Sequence, residues 1–423
     1  MPDGRGTDLQ GKVSRRAVLR AIAAGSVGFG LAACAGATIS FLPSASAGSP
    51  AASPTNEPTP TPAPTASAAP IASPSPTSDL ATLRRKISRL LLVGFRGLEI
   101  QSTDPITVAL AGGLGGVILF DKHQQTGGWR NISSPDQLSR LTRALRDAAP
   151  LPLIVAIDQE GGRVSRLNPA KGFPATRSEA EVGATGDPAV ALAAGRGMGR
   201  TMAAAGIDLD LAPVVDVNID PSNPAIGALG RSFSSDPSVV AAMAEAEIRG
   251  LHGAGVHATI KHFPGLGSAN ANTDFDAVDV TATWTEAELE PFQTLIAAGL
   301  PDAVMSAHIL NRHLDPDWPA SLSPATIDGL LRKKLGWNGV VVTDDLDAVA
   351  ITSQFTRPEA IARAIEAGND LLTFANQAHY FPDLVAQLLD EIVGLVGSGR
   401  ISEARLDQSI ARLEALAIPL VPG

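Results

Sequence analysis

The sequence is short of several things at once. Its 423 residues include a single cysteine, Cys34, and a single tyrosine; aromatic residues make up 4% and charged residues 18%. One cysteine excludes an internal disulfide and any zinc site built on cysteine pairs. Positive charge is not in excess, since the formal net charge is −10. That excludes the basic footprint of a nucleic-acid binder. No His-x-His pair marks an early strand, as a metal hydrolase on a barrel would want. No glycine-rich nucleotide fingerprint follows a strand either. The expectation is therefore no metal and no cofactor. What is present is apolar: hydrophobic residues make up 44%. That is enough for a core in one large domain or two smaller ones.

The first eighty residues read as address and tether. Residues 1–20 are polar and carry Arg5, Lys12, Arg15, Arg16 and Arg20, whereas residues 21–43 carry no charge. A basic start followed by an apolar, small-residue stretch is an export signal. The run Ser14-Arg15-Arg16-Ala17-Val18-Leu19 resembles a twin-arginine signal, with Sec export as the alternative. Leu31-Ala32-Ala33-Cys34 resembles a bacterial lipobox, in which Cys34 is lipidated and becomes the new N-terminus. The competing reading is an uncleaved anchor, because residues 21–43 are long enough to span a bilayer. The lone cysteine at the motif's position favours the lipobox. Either reading places the rest of the chain outside the cytoplasm, lipid-anchored at the extracellular face in the first case. Residues 44–78 are almost entirely Pro, Ala, Ser and Thr, with Glu57 the one charge. Such a segment cannot bury enough apolar surface to offset its ordering entropy. The division expected is a signal over 1–34, a disordered linker over 35–79 and a folded domain over 80–423.

From residue 80 the pattern alternates short apolar runs with longer amphipathic stretches. Eight strands are expected: Leu90–Phe95, Gly116–Phe120, Leu153–Asp158, Leu209–Val217, His257–Phe263, Ala303–His308, Val340–Asp345 and Asp370–Ala375. Continuous apolar runs suit parallel strands buried on both faces. Helices are expected over Pro135–Ala148, Pro188–Ala205, Val239–Ala254, Glu286–Ala298, Pro358–Ala367 and Phe381–Gly397. Strand then helix, repeated about eight times, is the signature of an α/β fold of the (β/α)8 TIM-barrel type, here a single domain. A doubly wound open sheet is the alternative. Asp158, His262, His308 and the pair Asp344-Asp345 all end their strands. In a barrel that end carries the active site. A polar residue there can also merely cap the next helix; four strands ending this way point to a shared pocket.

Four stretches carry a family resemblance. They are Ile157-Asp158-Gln159-Glu160-Gly161-Gly162-Arg163-Val164-Ser165-Arg166; Leu211-Ala212-Pro213-Val214-Val215-Asp216-Val217-Asn218, running on to Gly230-Arg231-Ser232-Phe233; Ile260-Lys261-His262-Phe263-Pro264-Gly265; and Val342-Thr343-Asp344-Asp345-Leu346. In this order, across nearly all of 80–423, they resemble the one-domain, NagZ-like β-N-acetylglucosaminidases of glycoside hydrolase family 3. The two-domain β-glucosidases of that family are the rival; they typically draw their acid/base carboxylate from a domain after the barrel. The resemblance implies a carbohydrate substrate with β-linked N-acetylglucosamine, often from peptidoglycan. It matches Asp158, Arg166, Arg231, Lys261 and His262 to sugar-binding positions and Asp344 to the nucleophile of a retaining glycosidase. His308, at its own strand end, joins the substrate-binding set. Sugar hydroxyls need carboxylates to accept and cations to donate hydrogen bonds. Adjacent Asp344 and Asp345 could instead assist attack by the substrate's own N-acetyl group. Because neighbouring side chains on a strand point to opposite faces, only one should enter the pocket. Asp345 is therefore read as supporting.

One motif departs from the family. The Asp-Ser-His that carries the family's unusual acid/base is missing. Counted without gaps, Asp274 stands at the histidine position and Asn272 at the aspartate position. Asp274 is the acid/base candidate, with Asp276, Asp216 and His308 behind it. The competing views are a plain turn residue, since Asn-Thr-Asp favours turns, and a lipoprotein that binds sugar without turnover. His123 and His313 have no constellation around them. A monomer is expected.

Overall fold

The computed structural model describes residues 78–416. The expected signal, the lipidation of Cys34 and the spacer up to residue 77 lie outside the described residues. No helix among the described residues is long and apolar enough to cross a membrane.

Eight parallel strands form the centre: β1 (Leu91–Gly94), β2 (Gly116–Leu119), β3 (Ile154–Ile157), β4 (Leu209–Asp210), β5 (His257–Phe263), β6 (Ala303–Ser306), β7 (Val340–Thr343) and β8 (Leu372–Phe374). They pair in chain order from β1 to β7, and β8 returns to β1 through Leu91↔Leu372 and Leu92↔Thr373. A parallel bridge from Val342 to Leu371 joins β7 to β8 and closes the ring. The open-sheet alternative is thereby excluded. The strands are buried along their length, which is why they read as unbroken apolar runs.

All eight strands fall inside the expected apolar runs, but most are shorter. The polar residues at their ends leave the ladder and turn into the rim. The largest difference is the run Leu209–Val217, where β4 ends at Asp210. Beyond it the chain pairs only intermittently: the Leu211 N–H donates to the Ile157 carbonyl, the Ala212 carbonyl accepts from the Thr259 N–H, Val214 bridges to Lys261, and the Val215 N–H donates to the Lys261 carbonyl at 2.8 Å. Its apolar side chains stay buried without a ladder, so burial alone made the run look like strand.

The expected helices form, and several begin with a capping side chain followed by proline. Ser134 accepts from the Gln137 N–H, Asp187 from Ala189 and Asp236 from Ser238, each with proline at the first helical position. Proline lacks the N–H that would be orphaned there. Helices over Leu80–Arg89, Pro105–Ala111, Ala325–Lys334 and Glu403–Leu416 were not expected. Helices Pro188–Ala204 and Pro237–His252 approach so closely that a Cβ on Gly195 would lie 2.2 Å from the Glu247 carbonyl oxygen.

The main core lies inside the barrel and between barrel and helices. A second, smaller cluster sits above the strand ends, with Val214, Ile226, Leu266, Val278, Val280 and Ile309. It anchors the long segment that follows β5.

Candidate active site

Asp158 directly follows β3. The chain then makes a small hairpin, Gln159–Gly161 against Val164–Ser165, which brings Arg166 back over Asp158. Glu160, two residues on, shares the side of the extended chain that Asp158 occupies. Lys261 in β5 reaches both carboxylates: its Nζ is 2.9 Å from Asp158 Oδ1 and 2.6 Å from Glu160 Oε1. Arg231 grips Glu160 with two hydrogen bonds of 2.7 Å, from Nε and Nη2. Arg166 Nη2 donates to Asp158 Oδ2 at 3.2 Å.

This is a buried network: the Lys261 side chain is 2% exposed and that of Glu160 1%. Burial would raise the Asp158 carboxyl, but the charges of Lys261 and Arg166 outweigh it and hold the group well below the usual carboxylate range. Burial would likewise pull Lys261 down, but Asp158 and Glu160 keep it above the usual lysine range. Charges this deep persist only when paired. Each of the three cations, Arg166, Arg231 and Lys261, is paired with one or both of the two carboxylates.

His262, next to Lys261, is held from behind. Its Nδ1 is 2.7 Å from Asp216 Oδ2, and its backbone N–H donates to Asp216 Oδ1 at 3.1 Å. Its Nε2 lies 3.4 Å from Arg231 Nη2. A guanidinium has no acceptor, so Nε2 accepts and Nδ1 carries the proton toward Asp216. Asp216 also accepts from the Leu266 N–H at 2.7 Å, pinning the turn after β5.

Asp344 and Asp345 follow β7. The Asp345 N–H donates to Asp344 Oδ1 at 2.8 Å. Asp345 Oδ1 accepts from the N–H groups of Asp347 at 3.1 Å and Ala375 at 2.9 Å, so it ties the ends of β7 and β8 together. Burial first, and then the charge of Asp347, push the Asp345 carboxyl well above the usual range.

The segment after β5 crosses the barrel mouth. Close packing requires glycine at 267, where a Cβ would meet the Val217 carbonyl oxygen at 1.7 Å. Glu288 accepts from the Gly267 and Ser268 N–H groups, and the Trp284 indole donates to the Pro264 carbonyl. Burial pushes the Glu288 carboxyl up to about 7. Further along, the Asp274 N–H donates to Asn272 Oδ1 at 2.9 Å, the turn expected of Asn-Thr-Asp. Asp274 retains exposed surface, yet protein crowds its carboxyl. That desolvation, and then the charge of Asp344, raise its pKa, with Arg231 and His262 opposing.

These side chains line one cavity of about 620 Å³ at the C-terminal ends of the strands. It brings together Asp158, Arg166, Arg231, Lys261, His262, Asp274, Asp344 and Asp345. Of the four residues considered as proton donors, only Asp274 lines it. Asp276 is absent from its wall, and Asp216 is fully buried behind His262. The expectation that His308 contacts substrate is corrected. It is 1% exposed and absent from the cavity wall. Its Nε2–H donates to the Asp345 carbonyl at 2.9 Å, which leaves Nδ1 to accept from the Ser321 hydroxyl at 2.7 Å. Burial lowers its pKa; it is a neutral brace under the Asp344-Asp345 turn. The expectation that Asp345 stays out of the pocket holds only in part, since it reaches the wall while bonded to backbone.

Sequence reading gave no role to Glu160, although its place two residues after Asp158 in an extended run was the available signal. Asp216, considered only as a proton donor, carried no signal of its pairing with His262, because the two lie 46 residues apart. A larger groove of about 1100 Å³ runs outside the barrel between helices Pro135–Ala148 and Pro188–Ala204. It is mainly apolar, holds none of the motif residues and lacks paired acids, so it offers no chemistry.

Comparison with known proteins decides the family. The glycosyl hydrolase family 3 N-terminal domain model matches residues 82–416. The chain belongs to glycoside hydrolase family 3. This family 3 enzyme is 38% identical over 314 residues to a β-hexosaminidase of Xylella fastidiosa (strain M23), covering 72% of this chain and 87% of that one. It is 37% identical over 331 residues to a β-hexosaminidase of Stenotrophomonas maltophilia (strain K279a), covering 74% and 92%. Among solved structures, a family 3 β-N-acetylglucosaminidase from Paenibacillus sp. str. FPU-7 superposes with a TM-score of 0.72 at 38% identity, over 79% of this chain and 62% of that chain. A β-N-acetylhexosaminidase from Beutenbergia cavernae DSM 12333 gives 0.71 at 32% identity, over 79% and 98%. The family 3 chain is a glycosidase, and its cavity opens at the end of the strands where barrel enzymes carry their active sites.

Proposed function

We propose that this family 3 glycosidase hydrolyses terminal β-linked N-acetylglucosamine with retention of configuration, on glycans derived from the cell wall. Asp344 is the nucleophile and Asp274 the acid/base. The observation that carries this reading is that Asp274, alone among the alternatives to the missing histidine, lines the cavity with Asp344, where burial and then the charge of Asp344 raise its pKa. Asp344 attacks the anomeric carbon while the bond to the leaving oxygen breaks, and protonated Asp274 gives that oxygen its proton. Ionised Asp274 then takes a proton from water, whose oxygen displaces Asp344. Asp158 accepts from sugar hydroxyls, and Lys261, Arg231 and Arg166 donate to them, from a frame that needs no rearrangement.

The test is hydrolysis of an activated aryl N-acetyl-β-glucosaminide by the wild type and by Asp344→Asn. Turnover that falls at least about 10³-fold in the variant supports the reading. A folded wild type with no turnover overturns it and leaves a sugar-binding protein. We further propose export and lipid anchoring at Cys34. A Cys34→Ser chain should then leave the membrane fraction; retention there would refute the anchor.

A further inference from the structure

The cations that line the cavity fall into two sets. Arg166, Arg231 and Lys261 are all paired with Asp158 or Glu160. Lys122 and Arg163 are exposed at the mouth, and among the described residues neither has an ion pair or a side-chain hydrogen bond. Both sit on ordered turns. Lys122 follows β2 and bridges to Trp129, with the His123 N–H bonded to the Gly128 carbonyl at 2.7 Å. Arg163 is at the tip of the hairpin after β3, behind Gly161 and Gly162, whose φ values of 91° and 54° allow that tip. A side chain at 161 would meet the Arg177 carbonyl oxygen at 2.1 Å. The acids that could neutralise this rim are engaged or elsewhere. Asp121 is buried toward Asn168, while Asp274 and the Asp344-Asp345 pair belong to the segments after β5 and β7.

The deep end of the cavity is thus satisfied internally, and its rim between the β2 and β3 loops carries two free positive charges in a chain of net charge −10. A sugar held on Asp158 and Lys261 directs its leaving group toward the mouth. We propose that Lys122 and Arg163 form a leaving-group subsite that selects an aglycone bearing an anionic group, a carboxylate or a phosphate. The proposal rests on the glycosidase reading above. Arg163 offers a planar fork that matches either anion, and Lys122 a point charge.

The experiment uses three aryl N-acetyl-β-glucosaminides matched in leaving-group pKa: neutral, carboxylated and phosphorylated. The wild type should prefer an anionic arm, and which arm it prefers identifies the anion. In the Lys122→Gln/Arg163→Gln double variant the anionic-to-neutral ratio of kcat/KM should fall about fivefold, mainly through KM, as for two partly exposed charge contacts. The preference should also shrink with added salt. A ratio equal in the two proteins to within about twofold would overturn the subsite. If no arm turns over, the glycosidase reading fails instead. The same ratio is then read from calorimetric binding of the neutral and carboxylated glycosides, and equal affinities would overturn the subsite there.

Discussion

Lys261 is buried and touches two carboxylates, whereas Asp274 is exposed and its carboxylate makes no hydrogen bond among the described residues. The two face each other across one cavity. The floor of the cavity is an ionic network built from Lys261 of β5, Asp158 and Glu160 just after β3, and the loop residues Arg166 and Arg231, every cation of it paired with a carboxylate. The loop over it is anchored at its root by Glu288 and Trp284 and at its turn by the Ala350 and Val349 N–H groups, which donate to the Thr273 and Asp274 carbonyls, and the Asp274 carboxylate is left without a bond among the described residues. Recognition of a fixed ring of hydroxyls favours groups that cannot move. Proton delivery favours a group whose charge state is open to change, and a saturated network forbids that. The floor should therefore fail through stability, and the loop through chemistry alone.

The largest effect on folding is expected at the floor. Lys261→Met leaves Asp158 and Glu160 buried with less compensation. It should lower unfolding stability by about 3–5 kcal/mol in denaturant titration. A loss below about 1 kcal/mol would mean the network is solvated and the contrast false. Asp274→Asn should leave the melting temperature nearly unchanged. Its kcat should fall about 10²-fold or more on substrates with poor leaving groups and little on activated ones. A loss equal on both would make Asp274 a turn residue. The pH profile sharpens the same point. The protonated form acts first and its pKa is raised, so kcat falls as pH climbs through a limb above the usual aspartate range. Asp274→Asn should erase that limb.

The smallest effect lies beneath the floor. Burial and then the charge of Glu160 push Glu247 up to about 8, from 4.5 when unfolded. A raised acid contributes stability that is complete below pH 4.5 and is lost as pH rises to about 8. Glu247→Gln cannot ionise in either state. It should melt higher than wild type by a few degrees at pH 8 and alike at pH 4. Equal shifts at both pH values would show that Glu247 ionises as freely when folded as when unfolded.

Much of the architecture was legible because burial on both faces imposes a continuous apolar signature on each strand, from Leu91–Gly94 to Leu372–Phe374. The helix starts were legible because Ser134-Pro135 and Asp187-Pro188 do the same capping work anywhere. Helix Leu80–Arg89 was not, since four of its ten residues, Arg84, Arg85, Lys86 and Arg89, are basic and only Leu83 and Ile87 bury large apolar groups. The run Leu209–Val217 misled because an apolar segment can be buried while its pairing beyond Asp210 is intermittent rather than a continuous ladder. His308 misled because a strand-end histidine looks the same whether it faces the cavity or the turn behind it.

By itself the sequence determined the barrel and picked out polar side chains that line the cavity at its mouth, through local patterns that the chain carries in every context. It also placed an aspartate where the histidine is missing. Tertiary structure alone decided the rest: that Glu160 joins Arg231 to Lys261, that Asp216 orients His262, that His308 braces a turn, and that Asp274 shares a cavity with Asp344. Each of these depends on residues far apart in the chain meeting within a few ångströms, and both hydrogen-bond direction and pKa are set by that meeting.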